Sequence, residues 1–493
     1  MSTESLAGGL AATSTPPARR WPALAALLTG NFVTILDLFI VNVAIPDIRA
    51  GLHASFAEIQ LVMVGYSAAY AVFLLNGARL GDLFGRKRMF LAGMALFTLA
   101  SALCGLATSA WMLIAMRVAQ GLGAAILMPQ VMATARVLFD GDERRRAFGV
   151  MGAVQGAAAS LSQLAGGWLI AHPLAADIGG WRMVFLVNVP IGIAALLAAR
   201  VFVAESRAPV AARLDVHGAM AGAVALGMLL VPIMQGREFG WPWWSWAVPL
   251  ASLLVFRHFV RYEQALSAAG RVPIIEIALF ANRSFVMGVL AIFLIYTAIS
   301  SYFLALTMLL QFGHSMSALA AGTVFTPAAI AFFTGSLSGP RLAERIGQRA
   351  LLLGVAVFAV GLTLSATVAQ VGGPMPLLIA ALVLNGFGQG MVLPLSLNTI
   401  LSGVQASQAG MGAGAVATMQ AVGNAVGVTV VGVLLFSLLG HVEGGGIADA
   451  VDAAGTAGHL ARYGHAFALA TLYNVGATVL ALVLFWRAWR RHA

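Results

Sequence analysis

Uncharged apolar runs of roughly 20 residues, the length that crosses a bilayer core, recur along the chain between short charged or Gly/Pro-rich breaks. They predict spans at 22–45, 59–78, 89–108, 111–132, 147–170 and 183–203. After the charged connector RAPVAARLD come 216–234 and 242–260. Beyond a longer amphipathic stretch follow 285–309, 318–338, 350–369, 376–398, 410–438 and 466–486. The chain therefore reads as an all-α integral membrane protein with fourteen transmembrane (TM) helices. The span at 242–260 opens in WPWWSW, whose aromatics suit the membrane–water boundary and blur its start. Removing one weak pair gives twelve spans in the same orientation, because an even number leaves both termini on one side.

Composition narrows the class further. Of 493 residues 60% are hydrophobic and 9% charged, against about 25% charged in soluble domains, which excludes a soluble protein and leaves no sizeable extramembrane domain. The net charge of +10 is explained by its placement. With the N-terminus in the cytoplasm, 23 of the 28 basic residues fall on the inner face, among them Arg86, Lys87, Arg88, Arg144 to Arg146 and Arg200. Outer segments receive Arg49, Arg182, Arg237 and Arg462, and Arg117 lies within a span. That asymmetry is the positive-inside signature, with both termini cytoplasmic, so nucleic acid is unnecessary as a partner. Residues 1–20 read as a disordered cytoplasmic tail, too polar for a signal peptide, and 489–493 as a second tail. The lone Cys104, in an apolar run, implies neither a disulfide nor a metal site. Residues 441–465, with three acids and three histidines among Gly and Ala, read as a flexible or short helical loop rather than a metal centre. No GxxxxGK[ST], HExxH or GxSxG motif occurs, so no catalytic enzyme, cofactor or resident ATPase is expected.

The chain repeats internally. GARLGDLFGRKR at 77–88 recurs loosely as GPRLAERIGQRA at 339–350, and GLGAAILMP at 121–129 as GFGQGMVLP at 386–394. The displacements, 262 and 265 residues, imply two six-helix bundles at 21–205 and 285–488, joined by a linker at 206–284 that carries the two additional spans. Parallel half-repeats of this kind are a transporter architecture that alternates access by rocking one bundle against the other.

Once topology has absorbed the other charges, Asp37 and Arg117 remain inside the spans. A buried carboxylate is costly unless it is protonated, paired or wet, so an intramembrane Asp is a functional candidate. A low-dielectric site favours the protonated acid, whereas pairing with Arg117 favours the carboxylate, and the two states can alternate in a proton-coupled cycle. The alternatives are a structural polar anchor at Asp37 and structural pairing or snorkelling at Arg117. In the hairpin, Gly77, Gly81 and Gly85 permit close backbone approach, Asp82 can cap a helix or pair with a base, and Arg86 anchors the inner face. This set reads either as a conformational latch between the bundles or as plain inner-face anchoring. Phe39, Tyr66, Tyr70, Gln155, Gln163, Asn385, Gln389, Gln420 and Asn424 are candidates to line a substrate cavity, with helix packing as the alternative for each.

These motifs together resemble the major facilitator superfamily, in particular its fourteen-span drug:proton antiporter family. The likeness rests on LDLFIVNVAIP at 36–46, GARLGDLFGRKR at 77–88, RVAQGLGAAILMP at 117–129 and WRMVFLVNVPIG at 181–192. It implies proton coupling at Asp37 and Arg117 and a latch at Gly77, Gly81, Asp82, Gly85 and Arg86. It further implies a major facilitator fold in a bacterial inner membrane, with lipophilic small molecules and protons as partners and a functional monomer. The chain departs from the family pattern at 162–167, where SQLAGG lacks the usual proline, and at Phe39, where threonine is common. Spans nine to fourteen hold no acid, so one main protonation site is expected, with neutral, zwitterionic or monovalent lipophilic substrates. An importer and a non-transporting scaffold are the competing readings.

Overall fold

The computed structural model describes residues 17–172, 180–207, 215–236, 239–271, 273, 277–401, 404, 409–439 and 447–490. The tails at 1–16 and 491–493, most of the connector at 208–214 and the segment 440–446 lie outside these residues. The first half comprises α1 (Pro17–Leu52), α2 (Phe56–Phe84), α3 (Arg86–Gly105), α4 (Ala110–Leu138), α5 (Gly141–Ala171), α6 (Met183–Leu186) and α7 (Asn188–Phe202). The inserted pair is α8 (Val216–Gly236) and α9 (Trp244–Ala268). The second half comprises α10 (Arg283–Met308), α11 (Ala318–Ile346), α12 (Arg349–Gln370), α13 (Met375–Leu401), α14 (Ala409–Leu439) and α15 (Ile447–Trp489).

Among the described residues twelve helical segments are long and apolar enough to cross a membrane. The two that fall short of the fourteen expected are α5 and α9. The 31 residues of α5 include GDERRR and many Gly, Ser and Gln, and α9 carries Arg257, Arg261 and Glu263 in its second half. Each is still long enough to run the length of the bundle, and α5 packs on α1 and α11. Residues 447–465, within the stretch read as a flexible or short helical loop, form the first turns of the 43-residue α15, a proline-free, Ala-rich stretch of high helix propensity. The sixth predicted span is broken at Val187 into α6 and α7. Pro190 has no N–H for the Leu186 carbonyl one turn earlier, which accounts for the break.

The halves meet along two seams, α5 with α11 and α2 with α14. Contacts across them are tight at the end opposite the α2–α3 hairpin. Phe56 and Phe436 have ring centroids 4.1 Å apart, and Gln311 Nε2 donates to the Val43 carbonyl at 2.9 Å. A Cβ on Gly167 would strike the backbone of Ala318, and one on Gly322 the backbone of Gln163. Toward the hairpin end, Gly149 and Gly152 of α5 are exposed, with nothing within 4 Å of such a Cβ. The inserted pair leans on α2 and α14 through α8. Asp215 fastens it there, accepting from Gly218 N at 2.9 Å and from the Tyr262 hydroxyl at 3.1 Å, while Asn76 of α2 donates to its carbonyl at 3.2 Å. Arg79 of α2 donates to the Pro273 carbonyl, and burial lowers its guanidinium pKa against the opposing pull of Asp215 and Glu263.

Candidate functional site

Asp37, midway along α1, is 0% exposed and Arg117 of α4 is 1% exposed. Arg117 Nη1 donates to Asp37 Oδ2 at 2.5 Å, so the two intramembrane charges form one ion pair. The other carboxylate oxygen, Oδ1, accepts from Gln120 Nε2 at 3.1 Å and from Asn188 Nδ2 at 2.8 Å. Arg117 Nε donates to the Val62 carbonyl at 3.2 Å, and the guanidinium carbon lies 4.6 Å from the centroid of the Tyr66 ring. Behind these groups, Gln120 Oε1 accepts from Arg117 Nη1 at 2.9 Å and from Cys104 Sγ at 3.4 Å. Asn188 Nδ2 also donates to Ser101 Oγ at 3.0 Å, and the serine hydroxyl donates to the Phe185 carbonyl at 2.9 Å.

The helices bring this cluster together for simple reasons. Arg117 and Gln120 are one turn apart on α4 and so share a face. Gly121, next on that helix, lies so close to α2 that a Cβ would strike the Tyr66 carbonyl. The break at Val187 sets Asn188 at the first position of α7, where its side chain points into the half rather than to lipid. Taking a carboxylate and a guanidinium out of water costs several kcal/mol per ion, and a charged form survives there only if every lone pair is engaged. Here the carboxylate holds three donors. The pair and its donors tie α1, α2, α4 and α7 together at one buried point.

The sequence-derived candidates divide. Asp37 and Arg117 meet, and Tyr66 lies beside them, its hydroxyl donating to the Thr34 carbonyl at 3.2 Å. Gln120, Asn188 and Ser101 were not singled out in the sequence, although the first two stand inside RVAQGLGAAILMP and WRMVFLVNVPIG. The signal that finds Gln120 is its i, i+3 spacing from Arg117. Phe39 lies on the seam between halves, its ring centroid 5.5 Å from that of Phe303, and Gln163 Nε2 donates to the Phe39 carbonyl at 3.0 Å. Tyr70 stacks beside Tyr66 with centroids 6.4 Å apart, and Gln155 reaches Asn31 Oδ1 at 3.4 Å. Asn385 and Gln389 bond to each other at 2.7 Å inside the second half. Asn424 accepts from Ser300, and Gln420 of α14 is half-buried.

The hairpin at 77–88 is packed mainly inside its own half. A Cβ on Gly77 would overlap the Ala125 carbonyl of α4 and one on Gly81 the Gln130 amide, which itself donates to the Gly77 carbonyl at 2.7 Å. Asp82 accepts from Arg86 at 3.1 Å across one helical turn. Gly85 turns the chain at φ +106°, a conformation glycine adopts without strain. Glu205, just beyond α7, accepts from Lys87 N at 3.0 Å and Arg88 N at 3.2 Å and so caps the start of α3. Glu205 was invisible in the sequence because it lies 118 positions from the helix it caps.

The profile of the Major Facilitator Superfamily matches residues 27–428. The probable actinorhodin transporter of Streptomyces coelicolor is 36% identical over 452 residues, 91% of this chain and 78% of that protein. The cephamycin export protein CmcT of Amycolatopsis lactamdurans is 34% identical, covering 94% and 92% of the two chains, and the puromycin resistance protein pur8 of Streptomyces alboniger is 31% identical, covering 97% and 92%. In fold, the chain is similar to a bacterial homologue of the human lysosomal transporter Spinster, with a TM-score of 0.67 over 96% of this chain and 97% of that one at 16% identity. By this profile and these relatives, the chain belongs to the Major Facilitator Superfamily, as a multi-pass secondary transporter of the bacterial inner membrane and not an enzyme.

Proposed function

We propose that this protein is a proton-driven antiporter that exports hydrophobic or amphiphilic compounds, within the fourteen-span drug:proton branch of its superfamily. The observation that carries the reading is the fully buried Asp37–Arg117 pair, a titratable site enclosed by one half of a two-half bundle. Similarity to proteins named for export of, or resistance to, actinorhodin, cephamycin and puromycin supports the substrate class. Fourteen spans follow if α5 and α9 also cross, with both termini cytoplasmic as the charge asymmetry requires. One chain supplies every group of the pair and its surroundings, which supports a functional monomer.

In that orientation the α2–α3 hairpin is cytoplasmic, and the seams are closed on the outer side. The conformation is then inward-facing, with Asp37 ionised and held by Arg117. Export proceeds as substrate loads from the inner side, the halves rock, and a proton from outside neutralises Asp37 and frees Arg117 before the protein returns. The hairpin residues Gly77, Gly81, Asp82, Gly85 and Arg86 act as the latch that engages the second half in the outward-facing state. Phe39, Tyr70, Gln155, Gln163, Gln420 and Asn424 face or flank the path between halves. A substrate with one positive charge or none suits a cavity whose one spare acid is already committed to the proton.

The test is reconstitution in liposomes with imposed pH gradients and a panel of lipophilic compounds. Wild-type protein is expected to drive uphill movement coupled to proton flow in the opposite direction, and Asp37→Asn to permit downhill exchange alone. Uphill transport by Asp37→Asn would overturn the coupling site. Solute and proton moving together would make the protein an importer, and a divalent cation carried as well as its monovalent analogue would overturn the substrate class.

A further inference from the structure

The Asp37 cluster contains a polar atom that the ion pair does not use. Asn188 is 0% exposed, its Nδ2 donates to both Asp37 Oδ1 and Ser101 Oγ, and its Oδ1 has no hydrogen-bond partner. A buried amide oxygen without a partner is costly, and such a group in a native core calls for an explanation. The charge state of Asp37 supplies one. An ionised carboxylate accepts only, so the amide must present its NH2 side to it. A protonated carboxyl donates, and the spare amide oxygen is the acceptor it needs.

We propose that Asn188 is a positioning residue that reads the proton on Asp37 by rotating its amide. The inference rests on Asp37 being the proton site and adds a residue and a route to that reading. When a proton binds Asp37 Oδ1, the acid O–H donates to Asn188 Oδ1 after a half-turn of the amide. Ser101 Oγ, which accepted from Nδ2, then faces the same oxygen and donates its own hydrogen to it. That hydrogen leaves the Phe185 carbonyl, its acceptor in the ionised state. Phe185 sits at the joint between α6 and α7, where Val187 N bonds back to Met183 O at 3.0 Å and Pro190 offers no N–H. One proton is thus passed along as three exchanged hydrogen bonds that end at the weakest point of the sixth span. No bond other than O–H and hydrogen bonds changes, and the proton itself stays on Asp37.

The other groups around the carboxyl do not substitute for the amide. Arg117 of α4 donates only, and Tyr66 of α2 commits its hydroxyl to the Thr34 carbonyl. Gln120 of α4 has its oxygen engaged by Arg117 and by Cys104 of α3. Asn188 is the member of the cluster whose amide oxygen is unengaged, and a half-turn of the amide brings it to Asp37.

Infrared difference spectroscopy of the full-length protein in liposomes, stepped from high to low pH, tests the inference. A carboxylic C=O band is expected in wild type and absent in Asp37→Asn. With it a side-chain amide C=O difference pair is expected, shifted by carbon-13 asparagine and absent in both Asp37→Asn and Asn188→Leu. In Asn188→Leu the acid band should move to higher frequency, because the acid has lost its acceptor. A shifted acid band without any amide pair in wild type would overturn the role of Asn188 while leaving Asp37 as the proton site. Absence of any band sensitive to Asp37→Asn would instead overturn the proton site. Absence of that isotope shift in wild type would overturn the role of Asn188 even if a variant fails to fold, and loss of the shifted pair in Asn188→Ser, a smaller polar variant, would assign it to this residue.

Discussion

The two halves share a glycine framework and differ in charge. Gly121 of α4 lies against the Tyr66 carbonyl of α2, and its repeat-mate Gly386 of α13 lies against the Ala328 carbonyl of α11. Gly123 abuts Gly93 and Phe97 of α3, and Gly388 abuts Gly354 and Phe358 of α12. The hairpins end alike, Gly85 and Gly347 both turning at positive φ. Yet at 265 residues' displacement Arg117 is replaced by Leu382, and Gln120 by Asn385, which bonds to Gln389 of its own helix. Duplication has preserved the places where backbones touch, because any side chain there would separate the helices. The ions are not repeated, and a second buried pair would add desolvation cost of its own.

Making the first half resemble the second gives the largest expected effect. In Arg117→Leu the Asp37 carboxylate loses its cation, and removing one partner of a buried pair costs about 3–5 kcal/mol while the other stays charged. Asp37 escapes that cost by holding its proton permanently. The protein should therefore still fold, while gradient-driven transport drops to the level of Asp37→Asn, with uphill accumulation lost. Liposome transport with thermal melting alongside checks both halves of the statement. Retained uphill transport would mean that Arg117 only anchors the helix.

The converse swap, Leu382→Arg, inserts a guanidinium at a site 2% exposed in a half whose spans contain no acid. A cost of about 3–5 kcal/mol is expected, large enough against a total stability of about 5–15 kcal/mol to reduce the yield of monodisperse protein on size exclusion. A well-folded variant would show that the second half has water at that depth.

How much of this was legible beforehand follows the same division. Apolar runs marked the helices because lipid demands them, and Asp37 and Arg117 stood out because a charge in such a run is expensive. Uncharged polar groups carry no such contrast. Asn188 and Ser101 look like any Asn or Ser in a transporter until α3 and α7 bring them to Asp37. Tyr66 stays open between cavity lining and helix packing in the sequence, because a tyrosine's sequence neighbours do not say which face of α2 turns inward. The helical start of α15 stays open in the sequence between a flexible and a short helical loop, because Gly and polar residues at 441–465 mimic a loop, whereas the Ala content over 447–465 sustains a helix.

The shared framework predicts equal sensitivity in the two halves. Gly121→Ala and Gly386→Ala each push a methyl into a neighbouring carbonyl, and overpacking of this kind costs about 1–3 kcal/mol. Gly152→Ala meets nothing within 4 Å and is expected to be neutral or slightly stabilising, since alanine is the better helix former. Melting temperatures of the three variants in one detergent compare them directly. A large difference between Gly121→Ala and Gly386→Ala would show that the halves are not equally rigid.

The smallest effect isolates one feature of the hairpin that the second half lacks. Gly85 and Gly347 both sit at positive φ with ψ of 135° and −142°, so alanine at either meets backbone strain of about 1–3 kcal/mol. At Gly347 the new methyl meets nothing within 4 Å, whereas at Gly85 it would overlap the Glu205 carboxylate. Displacing Glu205 removes its bonds to Lys87 N and Arg88 N, and losing a helix cap costs about 1 kcal/mol. Gly85→Ala should therefore exceed Gly347→Ala by about that amount. Glu205→Ala should lower the stability of wild type by a similar step and that of Gly85→Ala by much less, because there the cap is already gone. Equal costs at the two glycines, or full additivity of Gly85→Ala with Glu205→Ala, would show that the carboxylate contributes nothing to holding α3 against the end of α7.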